Sequence, residues 1–393
     1  MITPKKDLRG GHSLWADSSR INVRHRSQLQ YESCDIAIVG GGVSGALIAL
    51  TLSAEGHDVV VVDRRSFLRG STLASTAMIQ FELDTPMTQL AEKLGAKSAE
   101  RVYRRSFLAV SDLRELIARH GLSCAWKNRD ALYLAGNETG RRGLEAEAKY
   151  RAKINLPSEF LDQRKLAERF AIARTGAILS SGAAELNPAQ LTAECLRAAS
   201  KHGARLYTPH EISGFVANRS RVQLQTRKGS TISARRVIFA TGYEVVQGIP
   251  KSDYEITSSW AIATKPLPQH AFWPTKCLIW EAADPYLYLR STSDNRIVAG
   301  GEDSKLTNPE QRDRAIPEKA KRLLNKLSKL LPGRNLEIDY AWAGAFADNP
   351  TGLPHIAPVQ DTAGSCLAVL GCGGNGKHSR YPAHRRHRAA RLE

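Results

Sequence analysis

Cys34-Asp35-Ile36-Ala37-Ile38-Val39-Gly40-Gly41-Gly42-Val43-Ser44-Gly45 is the stretch that decides the fold. Its apolar first half reads as a buried strand, and a glycine turn follows. Ser44–Glu55 then reads as a helix, with Gly56 as its C-cap. Asp58-Val59-Val60-Val61-Val62-Asp63 is a second buried strand. Continuous rather than alternating apolar runs point to a parallel sheet covered on both faces, so this is one βαβ unit. Within it, residues 40–45 fit G-x-G-x-x-G, and Asp63 ends the next strand eighteen residues after Gly45. Each position has a physical task. Gly40 permits the tight turn, Gly42 lets backbone approach a pyrophosphate, and Gly45 lets helix and strand pack closely. The helix start at Val43 and Ser44 favours an anion, and Asp63 can accept hydrogen bonds from ribose hydroxyls. The competing reading is a glycine turn in a nucleotide-free α/β domain; the strand–turn–helix context favours a dinucleotide.

Working outward, 393 residues suggest two to three domains, with 42% apolar and 24% charged residues. That balance excludes disorder, collagen and coiled coil as global classes. No apolar run reaches the roughly 20 residues of a membrane span. The start, Met1-Ile2-Thr3-Pro4-Lys5-Lys6, has no apolar core, so no secretory signal is expected. The six cysteines, at 34, 124, 195, 277, 366 and 372, form no Cys-x-x-Cys pair. Neither a metal site nor a disulfide framework is expected, and reduced thiols fit a cytoplasmic protein. The net charge of +17 raises nucleic-acid binding. Its distribution argues against it. Residues 1–30 carry six Lys/Arg against two acids, and residues 377–393 carry six against one. The rest is thinly spread with no aromatic-interleaved basic stripe, so no specific nucleic-acid partner is expected.

Residues 1–30 read as a basic N-terminal arm. Residues 86–120 and 138–153 read as helices, and Ala131–Leu134 as a strand. Asn187-Pro188 opens a helix, with Asn as N-cap and Pro in the first turn, running to His202. Strands follow around 205–207, 222–226 and 236–240. A basic amphipathic helix is expected over 309–331, stopped by Pro332-Gly333.

An NAD dehydrogenase would continue through further βα units. This chain instead has Gly70-Ser71-Thr72-Leu73-Ala74-Ser75-Thr76-Ala77, and much later Ala240-Thr241-Gly242. Further along come Pro285-Tyr286-Leu287-Tyr288-Leu289-Arg290, Trp342-Ala343-Gly344, Gly352-Leu353-Pro354 and Gly371-Cys372-Gly373-Gly374-Asn375-Gly376. In this order the motifs resemble the D-amino-acid oxidase family of FAD enzymes, which includes glycine oxidase and sarcosine oxidase, over roughly residues 32–376. The resemblance implies an α/β fold: a Rossmann-like FAD-binding domain with a discontinuous second domain built on a mainly antiparallel sheet. It assigns 31–95, 160–250 and 340–376 to the FAD-binding domain, and 96–159 and 251–339 to the substrate domain. It implies that Asp63, with Arg64 beside it, holds the adenosine ribose, and that Ser71, Thr72, Ser75 and Thr76 line the pyrophosphate and flavin. Thr241 and Gly242 would pass close to the cofactor, and Gly373, Gly374, Asn375 and Gly376 would face the flavin ring.

Tyr286, Tyr288 and Arg290 alternate with Leu287 and Leu289, so in a strand they share one face. A guanidinium and two phenols suit a carboxylate, and relatives bind the substrate carboxylate with an Arg near this position. The bland alternative is an antiparallel strand with aromatic packing and a solvated Arg. The reaction implied is oxidation of the C–N bond of an amino acid or carboxylate-bearing secondary amine, by hydride transfer to flavin N5, with no catalytic acid or base named. The electron acceptor is oxygen or a respiratory carrier. Ile297-Val298-Ala299-Gly300 lacks the lysine that assists oxygen in sarcosine-oxidase-like members. The family continues past its Gly-Gly-Asn-Gly turn with an apolar helix; here Lys377-His378-Ser379-Arg380-Tyr381-Pro382 leads into Arg/His repeats. Codons for Lys377–Tyr381 read in a shifted frame can encode Thr, Phe, Ser and Val, so a frameshifted, truncated product is expected at 377–393. Its alternatives are a catalytically inactive flavoprotein remnant and an NAD dehydrogenase.

Overall fold

Val59–Val62 is buried at all four residues, and its neighbours show why. In a computed structural model, which describes residues 2–17, 21–247, 249 and 254–371, this strand pairs in parallel with Tyr31–Val39. Alternate side chains enter two different cores. Ile38, Val59 and Val61 meet Ala46, Ala49 and Leu50 of the helix Val43–Ala54 and Leu191, Cys195 and Leu196 of the helix Pro188–Lys201. Ala37, Val39, Val60 and Val62 meet Ile212, Val222 and Leu224 of a hairpin on the other face. Coverage on both faces is what a continuous valine run requires.

The sheet continues in parallel through Arg205–Tyr207 on one side and through Thr231–Phe239 and Cys366–Leu370 on the other. His355–Pro358 closes that edge in antiparallel fashion. The Asn187 side chain caps the helix Pro188–Lys201 by accepting from the amides of Ala189 and Gln190, as its sequence indicates.

The second sheet is larger. Its order is Arg9–His12, Ile338–Asp348, Glu255–Thr264, Ile297–Ser304, Leu287–Ser291, Leu278–Glu281, Lys127–Leu134, Gly176–Glu185 and Met78–Ile79. Only Leu278–Glu281 against Lys127–Leu134 is parallel among the described pairs of this sheet. One face packs Leu132, Ile279, Leu287 and Leu289 against Leu323, Leu327 and Leu330 of the helix Ile316–Leu330. The opposite face presents Tyr133 and Trp280, stacked with centroids 3.7 Å apart, beside Tyr288.

Three expectations need correction. Residues 1–30 are not an arm. Arg9–His12 is an edge strand on Ile338–Asp348, and Ile2, Leu8, Leu14, Trp15, Val23 and Leu29 are buried. Those residues are spaced without a helix or strand period, because they are shared among three separate cores, Ile2 and Leu29 in one, Leu14 and Trp15 in another and Val23 in a third. The domain boundaries also shift. Ser158–Asp162, Gly176–Glu185 and Ile338–Asp348 belong to the second sheet, although sequence placed residues 160–185 and 340–348 with the dinucleotide domain. An apolar strand pattern does not say which sheet receives it. The helix over 309–331 is two helices, Pro309–Arg314 and Ile316–Leu330, meeting at Ala315. Pro317 lacks an amide proton and sits without cost only in a first turn, so a new helix starts there. Gly373, Gly374, Asn375, Gly376 and the 377–393 tail lie outside the described residues.

Candidate active site

Gly40 has φ 108°, and a Cβ there would stand 2.3 Å from the Ala240 carbonyl oxygen. A Cβ on Gly45 would stand 1.9 Å from the Gly40 oxygen. Strand, turn and helix therefore meet at backbone contact, as the fingerprint spacing requires. Gly42 is the N-cap of the helix Val43–Ala54 and leaves that terminus without a side-chain cap. The Val43 amide donates to Thr72 Oγ1 at 3.1 Å. Asp63 leaves its strand at this level and accepts from the Gly41 amide at 2.7 Å and the Arg65 amide at 2.8 Å. Burial pushes its carboxyl pKa upward, against those two hydrogen bonds.

These parts surround a cleft of about 850 Å³. It brings together Gly40, Gly42, Val43, Ser44, Asp63, Arg64, Ser71, Thr72, Thr241 and Gly242. Gly45 lies beneath, packing the helix. Sequence reasoning missed the cleft's outer wall, which is Ile2, Thr3 and Leu8 from the N-terminal segment, with Arg65 and Glu244. Glu244 is buried and accepts a bidentate pair from Arg65, both at 2.7 Å, and the Lys6 amide at 2.7 Å. Arg64 sits 3.5 Å from Glu244 and donates to the Thr3 hydroxyl and, at 3.3 Å, to the Pro4 carbonyl. The Gln247 amide donates to Ile2 O at 2.9 Å. Residues 2–8 are thereby strapped over the Asp63 end. Deleting residues 1–8 is expected to weaken retention of a bound dinucleotide about tenfold or more, the equivalent of about 1.4 kcal/mol. The ratio of cofactor to protein after dialysis measures it, and an unchanged ratio refutes the role of the strap.

Ser71 is shared with a second chamber of about 1450 Å³. Ser75, Thr76, Tyr286 and Tyr288 line it, as do Trp260, Trp280 and Trp342 of the second sheet. The turn Ser71–Ala74 is held against that sheet by the Trp342 indole, which donates to Ala74 O at 2.9 Å. Gly344 supplies the closeness, since a Cβ there would stand 2.6 Å from Ala74 Cβ. Gly300 has a similar reason. A Cβ there would lie 2.4 Å from Tyr288 Oη, so the phenol excludes a longer side chain such as lysine at that point. Tyr286 donates to Asp303 at 2.6 Å. Burial holds both phenol pKa values above the ordinary tyrosine range.

Arg290 does not join the two tyrosines. It shares their strand face, but its guanidinium is 2% exposed and lines a different pocket, with Trp15 and Leu186. It donates to the carbonyls of Thr76 at 2.6 Å, Ser291 at 2.9 Å and Leu186 at 2.8 Å. It lies 3.8 Å from Glu185 and over the Trp15 ring at 5.1 Å. Burial pushes its pKa down to about 10, which leaves it charged at neutral pH. The expected carboxylate clamp therefore has its donors committed to the protein's own backbone.

The chamber's acidic wall was missed as well. Met78, Gln80, Glu82 and Asp84 all line it. Their spacing of two is the signal that was available, because alternate residues of an extended segment share a face. Among the described residues no group of three or more His, Cys, Asp or Glu could hold a metal ion. No helix among them is long and apolar enough to cross a membrane.

The arrangement fits FAD: a helix terminus whose N-cap is a glycine for the pyrophosphate, a buried acceptor for ribose, and an aromatic chamber that shares Ser71 with the cleft. Residues 35–379 match the family described as FAD dependent oxidoreductase, or DAO. The probable oxidoreductase OrdL of Haemophilus influenzae is 23% identical, over 88% of this chain and 81% of its own. The glycine oxidase of Geobacillus kaustophilus is 24% identical, over 85% and 87%. Among solved structures, the L-proline dehydrogenase of P. horikoshii superposes with a TM-score of 0.71 at 20% identity, over 88% and 90%.

Proposed function

The chain belongs to the FAD-dependent oxidoreductase (DAO) family, and from that premise we propose that it oxidises the C–N bond of an amine or amino acid by hydride transfer to flavin N5. It is an enzyme with FAD as cofactor, which sets aside the NAD alternative. Bound FAD supplies a two-electron acceptor that takes a hydride from the carbon beside nitrogen.

The rest is the work of the chain. The uncapped helix at Val43 and Ser44, with Thr72, meets the pyrophosphate, and Asp63 accepts from the adenosine ribose. Gly242, at φ 59° and with its added Cβ 3.5 Å from Ser71 Oγ, keeps the cleft narrow where it turns into the chamber. Ser75 and Thr76 line the ring. Tyr286 and Tyr288 wall the substrate side, stacked with centroids 5.5 Å apart. No residue is assigned as general base, because a neutral amine needs only orientation to deliver its hydride.

Ser71 lines both the cleft and the chamber, and that shared wall is the observation that carries this reading. The purified protein is expected to show a flavin band near about 450 nm that an amine or amino acid bleaches without oxygen. A protein that carries flavin, is bleached by dithionite and ignores every C–N substrate would refute the reading. Admitting air to the same cuvette then identifies oxygen as the acceptor if the colour returns at once, and a carrier if it does not.

A further inference from the structure

We propose that the chamber selects a cationic amine, one whose second ammonium group is held by Glu82 and Asp84 against the aromatic wall, rather than an amino acid anchored by its carboxylate. This rests on the chamber being the substrate site of the oxidation proposed above.

The charge inside decides it. Among the described residues, the chamber is lined by the carboxylates of Glu82 and Asp84 and by no Arg, Lys or His. Glu82 is 4% exposed, and neither of its carboxylate oxygens makes a well-formed hydrogen bond, the Ser180 side chain being near enough only to lower its pKa slightly against burial. Its nearest cation, Arg151, lies 3.6 Å away and is already committed to Glu147 at 2.7 Å. One buried guanidinium thus serves two carboxylates, and Glu147 also takes the amides of Met87 and Thr88 at 2.8 Å each. With all three groups ionised, the trio carries one net negative charge. Burying such a charge is costly, and a bound cation removes the cost. Burial correspondingly pushes the Glu82 pKa up, and a second cation would pull it back.

Two further groups point the same way. The Trp280 indole N–H is 2% exposed, lines the chamber and has no acceptor. A neutral amine nitrogen offers the lone pair it lacks. Gln80 Oε1 has no donor, and an ammonium carries three. The stacked Tyr286 and Tyr288 rings supply π faces that attract a cation and gain nothing from a carboxylate. A substrate carboxylate would meet Glu82 and Asp84 as like charges, and among the described residues no basic side chain lines the chamber to receive it.

The test is anaerobic reduction of the purified holoenzyme by 1,4-diaminobutane, N-methyl-1,4-diaminobutane, glycine, sarcosine or L-proline, with calorimetric titration of 1,4-diaminobutane as a separate binding readout. The diamines are expected to bleach the flavin at about tenfold or more lower concentration than the amino acids. Glu82→Gln and Asp84→Asn are each expected to weaken diamine binding about tenfold, the scale of a charge-assisted hydrogen bond, with flavin content unchanged. Should Glu82→Gln fail to fold, Asp84→Asn and Trp280→Phe carry the measurement. Preferential reduction by glycine, sarcosine or proline overturns the cationic selectivity and leaves amine oxidation standing. Unchanged diamine binding in the folded variants overturns it too. Failure of all five compounds, with dithionite still effective, removes the oxidation reading and this inference with it.

Discussion

Arg290→Met is expected to destabilise the protein by about 3–5 kcal/mol, because three carbonyls, two buried and one partly buried, lose their donor at about 1–3 kcal/mol each. Thr76, Leu186 and Ser291 are those carbonyls. Glu185 keeps Arg129 at 3.0 Å, so the loss is one of bridging rather than of a lone charge. The guanidinium ties the cofactor-side Thr76 to the chain entering the helix Pro188–Lys201, and methionine cannot hold both. Arg290→Lys should recover only part, since an ammonium lacks the planar fork that reaches three acceptors. Denaturant unfolding measures the effect. An arginine that clamps substrate would give the opposite pattern: unchanged unfolding and a raised KM. That pattern would restore the carboxylate clamp.

Gly45→Val is expected to yield protein without flavin. Even the first added carbon would lie 1.9 Å from the Gly40 carbonyl oxygen, and that oxygen belongs to backbone fixed between two strands. The helix Val43–Ala54 must then back away from the turn, taking its amides from the pyrophosphate. A loss of about a hundredfold in FAD affinity corresponds to about 2.7 kcal/mol, a modest cost for such a collision. Gly140→Ala is the control, since its added carbon meets nothing within 4 Å. Flavin absorbance per chain separates the two. A yellow Gly45→Val protein at full occupancy would mean that the cofactor does not use this turn.

The residues legible in advance were those whose task is local. Gly40 to Gly45 and Asp63 announce themselves because a tight turn, a close helix and a strand-end acceptor each demand a residue type at a fixed spacing. Ser71, Thr72, Ser75 and Thr76 were legible only through the order of several weak motifs. Glu244 was not, because its partners Arg65 and Lys6 come from far along the chain and no periodicity links them. Ile2 and Leu8 are isolated apolar residues in a basic stretch, and single residues filling separate gaps leave no pattern. Arg290 shows the converse hazard. The alternation correctly gave its face, but a face does not say whether a guanidinium meets ligand or main chain. The Gln80, Glu82, Asp84 alternation was present in the sequence but was eclipsed by the more familiar Arg and Tyr pattern around Leu287–Ser291, far later in the chain.

The pairing of Arg9–His12 with Ile338–Asp348, and of Thr231–Phe239 with Cys366–Leu370, has a consequence for biosynthesis. Arg9–His12 must wait for a strand about 330 residues further along before it can dock, so the coenzyme cradle lacks the anchorage of its outer wall until that later strand has been made. Closure of the cradle around FAD is thus a late step, and the growing polypeptide carries an open sheet edge until the later strand arrives.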